Sequence, residues 1–564
     1  MIEHTTRNAL HGAAVRLRLV GEPSRRAVWT AATVMGIVWP AIMLLRLLLG
    51  GTVGIADNGD GVRLFCPLGL VNERPWDAPM SAHVYTTWIS EPRYGEQCAT
   101  PGWGERYYSS QQLVLMLAKP LTQLLGLPGA LDLRAVGVLC ALAFGAVIAL
   151  LVVLLPGPLW LRLLTSCGFG LVMCDSAFAV YFISPFSEPM GLIGLMLFCT
   201  ALLLLWRKPT ATRGGIVLAT VALIATMTAK PQFLGVLPVG VLALLWLPSV
   251  HTQGGRAQQR REHSRLQRLA RWLAVRWPAL IACAVLCGVA GAFTSVQVER
   301  LNRQVWYNAV FVEMLPHSPD PAGDLRALGA PTELISAIGS RLNSENSVAR
   351  TPYWDEYIQN VTPGKIVFHT VTHPDRLISM GARGIQAMTH PTLYNYLGAY
   401  PPDSGHEPYS KERRVAVFTR IFEFFEPVPA LIPLILLGTL ILGAMLASRT
   451  WARPSARAVG RMTVCVVLSV FGLFWIAMLS EGASDINKHM IPCDYLTALC
   501  IPLAALCFWL LFRREHSVNP QPVQLGATAV PSGRSPSAHS APPVEGVSAG
   551  GASPRLTAAA EHRE

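Results

Sequence analysis

A polar run with the sequence Gly-Ile-Ala-Asp-Asn-Gly-Asp-Gly-Val-Arg follows the first long apolar segment of the chain. It places Asp57, Asp60 and Arg63 within seven residues. A carboxylate there could act as a general base on a hydroxyl group, and the arginine could orient it or bind an anion. Aspartate, asparagine and glycine also form turns that cap a helix, so the spacing is compatible with a purely structural role as well.

Two further charged residues lie where other apolar segments begin or end. Glu188 precedes Pro189, and Lys230 precedes Pro231. An acid at membrane depth is costly and usually faces a polar cavity, although Glu188 could equally stabilise the first turn of a helix. Lys230 could snorkel to lipid headgroups or hold a phosphate, and the break at Pro231 favours a residue that lines a cavity.

A third polar stretch, residues 480–490, separates the last two apolar segments. Asp485, Lys488 and His489 could share one face of a helical turn, because residues three or four positions apart are neighbours there. The lysine and the histidine would suit a lipid-linked phosphate, with Asp485 beside them. A solvated turn between two helices is the alternative.

The charged residues described above lie between long apolar segments, which must hold them in position. The 564 residues are 52% hydrophobic and 14% charged, with a mean hydropathy of +0.39. This composition excludes a soluble enzyme, a disordered chain and a collagen-like fibre. We predict an all-α polytopic membrane protein with about ten spans. The spans are 27–49, 131–155, 159–180, 189–206, 215–229, 233–247, 278–296, 428–446, 462–480 and 495–512.

The net charge of +12 indicates orientation in the membrane. With the N-terminus inside, the tails and inner loops hold 25 basic and seven acidic residues, a net charge of +18, and the rest of the chain carries −6. Positive loops remain in the cytoplasm, so we expect a multi-pass protein of the bacterial cytoplasmic membrane with both termini cytoplasmic. The basic residues form no contiguous face with aromatic platforms, so no nucleic-acid partner is expected.

The spans divide the chain into five regions. We expect a basic N-terminus (1–26), spans 1–7 with a large outer loop (27–296, loop 50–130), a mostly helical outer domain (297–427), spans 8–10 (428–512) and a disordered cytoplasmic tail (513–564). Cys66 and Cys98 could form a disulfide in the first outer loop. Trp306 and Trp354 of the outer domain lie beside polar residues and suit either sugar stacking or a small helical core.

This layout resembles the GT-C class of integral-membrane glycosyltransferases, in which an acidic motif begins the first outer loop. Asp60 and Arg63 keep the spacing of the Asp-Glu-x-Arg motif, whereas the second acid is missing and Asp57 lies upstream. Ser187-Glu188-Pro189 looks like the acidic turn of protein mannosyltransferases and aminoarabinose transferases. Ala229-Lys230-Pro231 is similar to their Thr-Lys-Gly-Pro turn. The likeness is greatest to hexose transferases of bacterial surface-glycan synthesis.

The resemblance implies a membrane glycosyltransferase with a polyprenyl-phosphate-linked sugar as donor and an envelope glycan or glycolipid as acceptor. Asp60, or Asp57, would be the catalytic base. The other six residues (Arg63, Glu188, Lys230, Asp485, Lys488 and His489) would bind substrate. No cofactor is required, although Asp57, Asp60 and Glu188 could share a divalent ion. The alternatives are a flippase for a lipid-linked glycan and a non-catalytic envelope assembly protein.

Overall fold

The computed structural model describes residues 23–513, except positions 76, 91–97, 99–106, 209–211, 247–264, 298, 393–396, 451 and 481. The N-terminal segment 1–22, the tail from residue 514 and most of the basic loop before residue 265 lie outside the described residues. The expectations for those segments therefore stay predictions.

Helices dominate the described chain. The α-helices are α1 (Arg25–Leu48), α2 (Asp60–Phe65), α3 (Gln111–Leu124), α4 (Leu133–Leu154), α5 (Leu159–Cys174), α6 (Ser176–Ala179), α7 (Glu188–Trp206), α8 (Arg213–Met227), α9 (Leu237–Leu245), α10 (Arg265–Ser295), α11 (Glu299–Asn308), α12 (Pro321–Leu328), α13 (Trp354–Asn360), α14 (Pro363–Thr372), α15 (Pro374–Ala387), α16 (Val417–Phe424), α17 (Leu431–Ser448), α18 (Pro454–Ser480) and α19 (Ile486–Phe512). The strands are β1 (Leu70–Asn72), β2 (Thr87–Ser90) and β3 (Leu131–Asp132).

Shorter helical turns join these elements. A π-helix covers Ala309–Met314. The 3₁₀ turns are Cys66–Leu68, Val180–Ile183, Pro231–Val236, Leu315–His317, Thr332–Ala337, Val348–Arg350 and Pro402–Ser404.

Seven helices of the described chain are long and apolar enough to cross a membrane: α1, α4, α7, the Arg276–Ser295 part of α10, α17, α18 and α19. An eighth span results if α5 and Ser176–Ile183, which meet at a 53° bend, are counted together. The prediction of a polytopic helical membrane protein is confirmed. Small residues bring the helices close: a Cβ on Gly145 of α4 would lie 2.4 Å from the Gly36 carbonyl oxygen of α1.

The fifth and sixth predicted spans differ from the others. They correspond to α8 and to Pro231–Leu245, two apolar helices shorter than a membrane span. Lys230 lies between them in extended conformation, directly before the 3₁₀ turn. A proline cannot continue a helix from the preceding residue without a steric clash. The break that Pro231 predicts is therefore present, and it sets Lys230 at the end of both helices.

The first loop contains structure that hydropathy did not reveal. Three short antiparallel strands pair in the order β1-β2-β3, with Leu70 opposite Ser90 and Thr87 opposite Asp132. The all-α prediction is thus wrong in this detail, because strands of two to four residues are too short to show an alternating pattern. Cys66 and Cys98 form a disulfide in this loop, as proposed from the sequence.

Residues 297–427, called the insert below, are mostly helical, and strands are absent from their described part. Tyr307, Phe311 and Tyr357 form the centre of a small core in this region. Trp354 stacks on Tyr357 at a ring separation of 5.9 Å, so it serves packing within the insert.

A buried ion pair ties the first membrane helix to the end of the insert. Arg46 of α1 donates to the carboxylate of Glu412 and, at 2.9 Å, to the hydroxyl of Ser176. Arg414 donates to the same carboxylate at 3.0 Å. Burial alone would raise the pKa of Glu412, but Arg46 together with the hydrogen bonds from Ser176 and Arg414 lowers it.

Asp175 has a similar structural role at the bend after α5. Its carboxylate accepts hydrogen bonds from the backbone N–H groups of Ala177, Phe418 and Thr419, and from the Thr419 hydroxyl. It therefore caps α6 and α16 together. This acid at membrane depth is satisfied by the fold itself.

We predict that Glu412→Gln lowers the stability of the protein by about 3–5 kcal/mol, because it leaves the buried Arg46 guanidinium without its counter-charge. Thermal unfolding in lipid nanodiscs measures the loss. Arg420→Gln, which removes an exposed pair with Glu423, is the control and should cost less than about 1 kcal/mol. Equal effects of the two substitutions would contradict the structural role of the buried pair.

Candidate functional site

The loop after α1 is built around the carboxylate of Asp57. Its Oδ1 accepts hydrogen bonds from the backbone N–H groups of Gly59 (2.8 Å) and Gly61 (2.9 Å). Gly59 has a φ of 99°, a conformation that favours glycine. This turn starts α2 at Asp60, so the buried Asp57 fixes the residue that begins the helix.

Asp60 meets two cations. Its Oδ2 accepts from the ammonium group of Lys488, and its Oδ1 lies 3.5 Å from Nη1 of Arg63, one helical turn further on. Burial alone would raise the pKa of Asp60, but the cations around it, Lys488 first, outweigh that effect and hold its pKa well below the usual range. Asp60 is therefore ionised at neutral pH.

Glu188 and Lys230 form a second pair. Glu188 is the first residue of α7 and is only 2% exposed, and its Oε1 accepts from Nζ of Lys230 at 3.1 Å. Pro189 is the second residue of α7, and its fixed φ suits the first turn of a helix. Glu188 therefore begins a helix and also pairs with a cation.

The first turn of α19 supplies the third group of residues. Asp485 has a φ of 48°, and its carbonyl accepts from the backbone N–H groups of Lys488 (3.0 Å) and His489 (3.3 Å). Its carboxylate lies 3.5 Å from Nη2 of Arg341 in the insert. This left-handed residue turns the chain so that Lys488 and His489 lie on one side of the helix start.

Neighbouring side chains hold the two basic residues in place. The Lys488 ammonium lies 4.1 Å from the ring centroid of Phe186, a cation–π contact. Gln232 donates to the backbone carbonyl of His489, and its Oε1 lies 3.3 Å from Nδ1 of that histidine.

One cavity of about 340 Å³ collects these groups. Seven of the eight residues singled out from the sequence line it: Asp60, Arg63, Glu188, Lys230, Asp485, Lys488 and His489. They come from four segments far apart in the sequence: α2, the start of α7, the break before Pro231 and the start of α19. In the fold these segments lie at the same end of the membrane helices. Asp57 is the exception, because its side chain is buried in the turn beneath Asp60 and does not line the cavity.

Several lining residues carry no signal in the sequence. Tyr107, Gln232, Gln297, Gln304 and Arg341 also border the cavity. Amides and a lone arginine are common on loops, so only proximity to Pro231 could have drawn attention to Gln232. Trp306, noted for its polar neighbours, lines the cavity as well.

A shared metal ion does not fit the carboxylates. Within the described residues, no three His, Cys, Asp or Glu side chains are grouped as ligands. Asp60 and Glu188 are instead engaged by ammonium groups, which would compete with a cation. The suggestion that Asp57, Asp60 and Glu188 share an ion has no support in this geometry.

The fold and the cavity define a multi-pass membrane protein with a polar site at one end of its helices. A family model described as YfdI N-terminal transmembrane domain matches residues 22–517. The chain therefore belongs to this family of membrane proteins. No curated protein and no solved structure matches the chain.

We predict that Asp57 makes stability depend on pH in a defined window. Burial raises the pKa of Asp57 to about 6, despite the hydrogen bonds from Gly61 and Gly59. The folded protein thus holds a proton that the unfolded chain releases near pH 4. The contribution of Asp57 to stability should fall by about 3 kcal/mol as the pH rises from about 4 to 6, so the variant without this carboxyl should gain stability relative to the wild type over that range.

Thermal unfolding of the wild type and of Asp57→Asn over pH 4–7 measures this contribution. The variant should lack the loss of stability that Asp57 causes between pH 4 and 6, because asparagine keeps an oxygen for Gly59 and Gly61 without a charge. Parallel profiles for the two proteins would refute the assignment.

Proposed function

We propose that this protein is a membrane glycosyltransferase that moves a hexose from a polyprenyl-phosphate-linked donor to an envelope glycan or glycolipid acceptor. The reaction would take place on the outer face of the membrane, the orientation that the charge distribution predicts. The observation that carries the proposal is the convergence of Asp60, Lys488, Glu188 and Lys230 on one cavity at the ends of membrane helices.

The charge of the cavity suits a phosphodiester donor. Asp60 and Glu188 oppose Arg63, Lys230 and Lys488, so this cluster carries one net positive charge. A phosphodiester carries one negative charge. If Asp60 takes up the proton of the acceptor, the cluster gains a positive charge just as the phosphate leaves with a second negative one. Charge thus stays balanced throughout the step.

The bonds that change are few. The acceptor oxygen attacks the anomeric carbon and gives its proton to Asp60. The bond from that carbon to the phosphate oxygen breaks, and the polyprenyl phosphate leaves with the electron pair. Lys488 and Lys230 would stabilise the charge on the leaving phosphate. Displacement in one step inverts the anomeric carbon.

The surroundings of the cavity favour a lipid-linked substrate. Tyr107 lines the cavity, and α3 begins a few residues later. The backbone N–H of Ser110 donates to the Thr228 carbonyl, so this helix starts beside the end of α8. Leu117 and Leu124 of α3 are 62% and 82% exposed, and such an apolar face suits the acyl region of a bilayer.

We predict that Asp60→Asn lowers hexose transfer by about 10²–10⁴-fold, because it removes the general base but keeps the shape of the side chain. The assay measures consumption of a radiolabelled polyprenyl phosphohexose by protein in nanodiscs. Asp403→Asn, the same change in an exposed turn, is the control. Since the pKa of Asp60 is held low, wild-type activity should not decline through protonation of this residue between pH 7 and 5.

Normal transfer by Asp60→Asn would sink this assignment. A donor that crosses a liposome membrane with its glycosidic bond intact would instead support the flippase alternative. A non-catalytic assembly role would instead be favoured if deletion of residues 297–427 abolished function in cells while Asp57→Asn and Asp60→Asn left it intact.

We further predict that Lys488→Gln lowers kcat/KM for the donor by about 10²–10³-fold, since a preorganised donor to the developing charge is lost. Lys365→Gln, on an exposed part of α14, should leave kcat/KM unchanged. The steady-state donor kinetics of both variants provide the measurement. A loss of stability without any kinetic defect would show that Lys488 only pairs with Asp60.

A further inference from the structure

The cavity has a second lining that the reaction step does not use. Gln297, Asn302, Gln304 and Trp306 border it, and all are uncharged. Three of them belong to α11, and Gln297 precedes that helix. Apart from Arg341, the charged lining residues come from α2, α7, the start of α19 and the break before Pro231. These four neutral groups therefore form a separate part of the lining, at the start of the insert.

Gln297 holds an unused hydrogen-bond acceptor. The residue is 8% exposed, and its Nε2 donates to the Tyr108 carbonyl at 3.1 Å. Its Oε1 is buried and accepts no hydrogen bond from the described residues. A buried amide oxygen without a partner is unfavourable. Since Gln297 borders the cavity, a turn of its amide toward the cavity would let this oxygen accept a hydrogen bond from a sugar hydroxyl.

Trp306 offers an aromatic surface beside these amides. Trp306 is partly buried against the hydrophobic core of the insert and also lines the cavity. A flat apolar surface next to amides, each with donors and an acceptor, matches the C–H faces and hydroxyls of a pyranose.

We propose that Gln297, Asn302, Gln304 and Trp306 form a binding subsite for a neutral sugar, the terminal unit of the acceptor glycan. This assignment rests on the proposed glycosyl transfer. The donor phosphate requires cations, and these lie on other elements. The acceptor oxygen must attack on the side opposite the leaving phosphate, so it needs its own binding groups.

The size and charge of the subsite define the class of ligand. The whole cavity of about 340 Å³ is at the lower end of the range of about 300–1,000 Å³ for small-molecule sites, and the donor hexose and phosphate must share it. The subsite therefore encloses no more than one sugar unit of the acceptor. Arg341, the cation contributed by the insert, faces Asp485. An uncharged hexose therefore fits better than a uronic acid.

Binding of simple sugars tests the subsite directly. Saturation-transfer NMR on protein in nanodiscs, free of sugar-based detergents, would use methyl α- and β-glycosides of glucose, galactose and mannose as probes. We expect at least one glycoside to bind the wild type. Gln304→Leu should weaken this binding by about five- to tenfold through the loss of one or two hydrogen bonds, and Trp306→Leu by at least as much. Trp306→Phe, which keeps an aromatic face, should retain part of it.

Two controls separate the subsite from the charged cluster. Glu333→Gln, an exposed change elsewhere in the insert, should bind the glycosides like the wild type. Lys488→Gln should also bind them normally but should lose affinity for inorganic phosphate. The subsite is overturned if no glycoside binds the wild type, or if Trp306→Leu and Gln304→Leu both bind glycosides normally.

Kinetics distinguish this proposal from the proposed function. With the bound glycoside as acceptor, the Gln304 and Trp306 variants should raise the acceptor KM and leave donor hydrolysis by water unchanged. A rise in the donor KM instead would assign the groups to the donor hexose and overturn the acceptor subsite. Glycoside binding that depends on Trp306 in a protein that consumes no donor would preserve the subsite and refute the transferase.

Discussion

The cost of burying charge governs this structure. Ions near the apolar part of a membrane must be paired, because neither lipid nor packed side chains solvate them. In the cavity, Lys488 is paired with Asp60, and Lys230 with Glu188. Each pair joins elements far apart in the chain, so the helices that carry them must end at the same level. The same pairs leave the charge of the cavity lining nearly balanced.

The same rule separates structural acids from those of the site. Asp175 is satisfied by backbone N–H groups and a hydroxyl, and Glu412 by two arginines. The partners of these two acids do not line the cavity. Asp57 receives two backbone hydrogen bonds and supports the start of α2. Asp60 and Glu188, in contrast, are paired with Lys488 and Lys230, two residues that line the cavity.

The sequence could reveal most of the charged residues of the site, but of the neutral lining it drew attention only to Trp306. A lysine or an acid at the end of an apolar segment stands out because it is costly there, and seven residues noticed in this way do line the cavity. Gln297, Gln304 and Tyr107 do not stand out, because amides and tyrosines are ordinary in polar loops. The small sheet was missed for a related reason: its strands are too short for a period of two to show.

Composition and hydropathy by themselves determined that this is a polytopic helical membrane protein, and that breaks such as Pro231 would interrupt its helices. These properties depend on local chain physics, since apolar runs and prolines act on their own neighbourhood. Only the tertiary structure decided that Asp60 meets Lys488 across 428 residues of sequence, whereas Asp57 lies beneath the cavity. The two aspartates are three residues apart in the sequence, and their roles differ only in the folded protein, where Asp60 pairs with Lys488 and Asp57 accepts hydrogen bonds within the turn at Gly59. Burial and charge pairing depend on the packed chain and not on the local sequence.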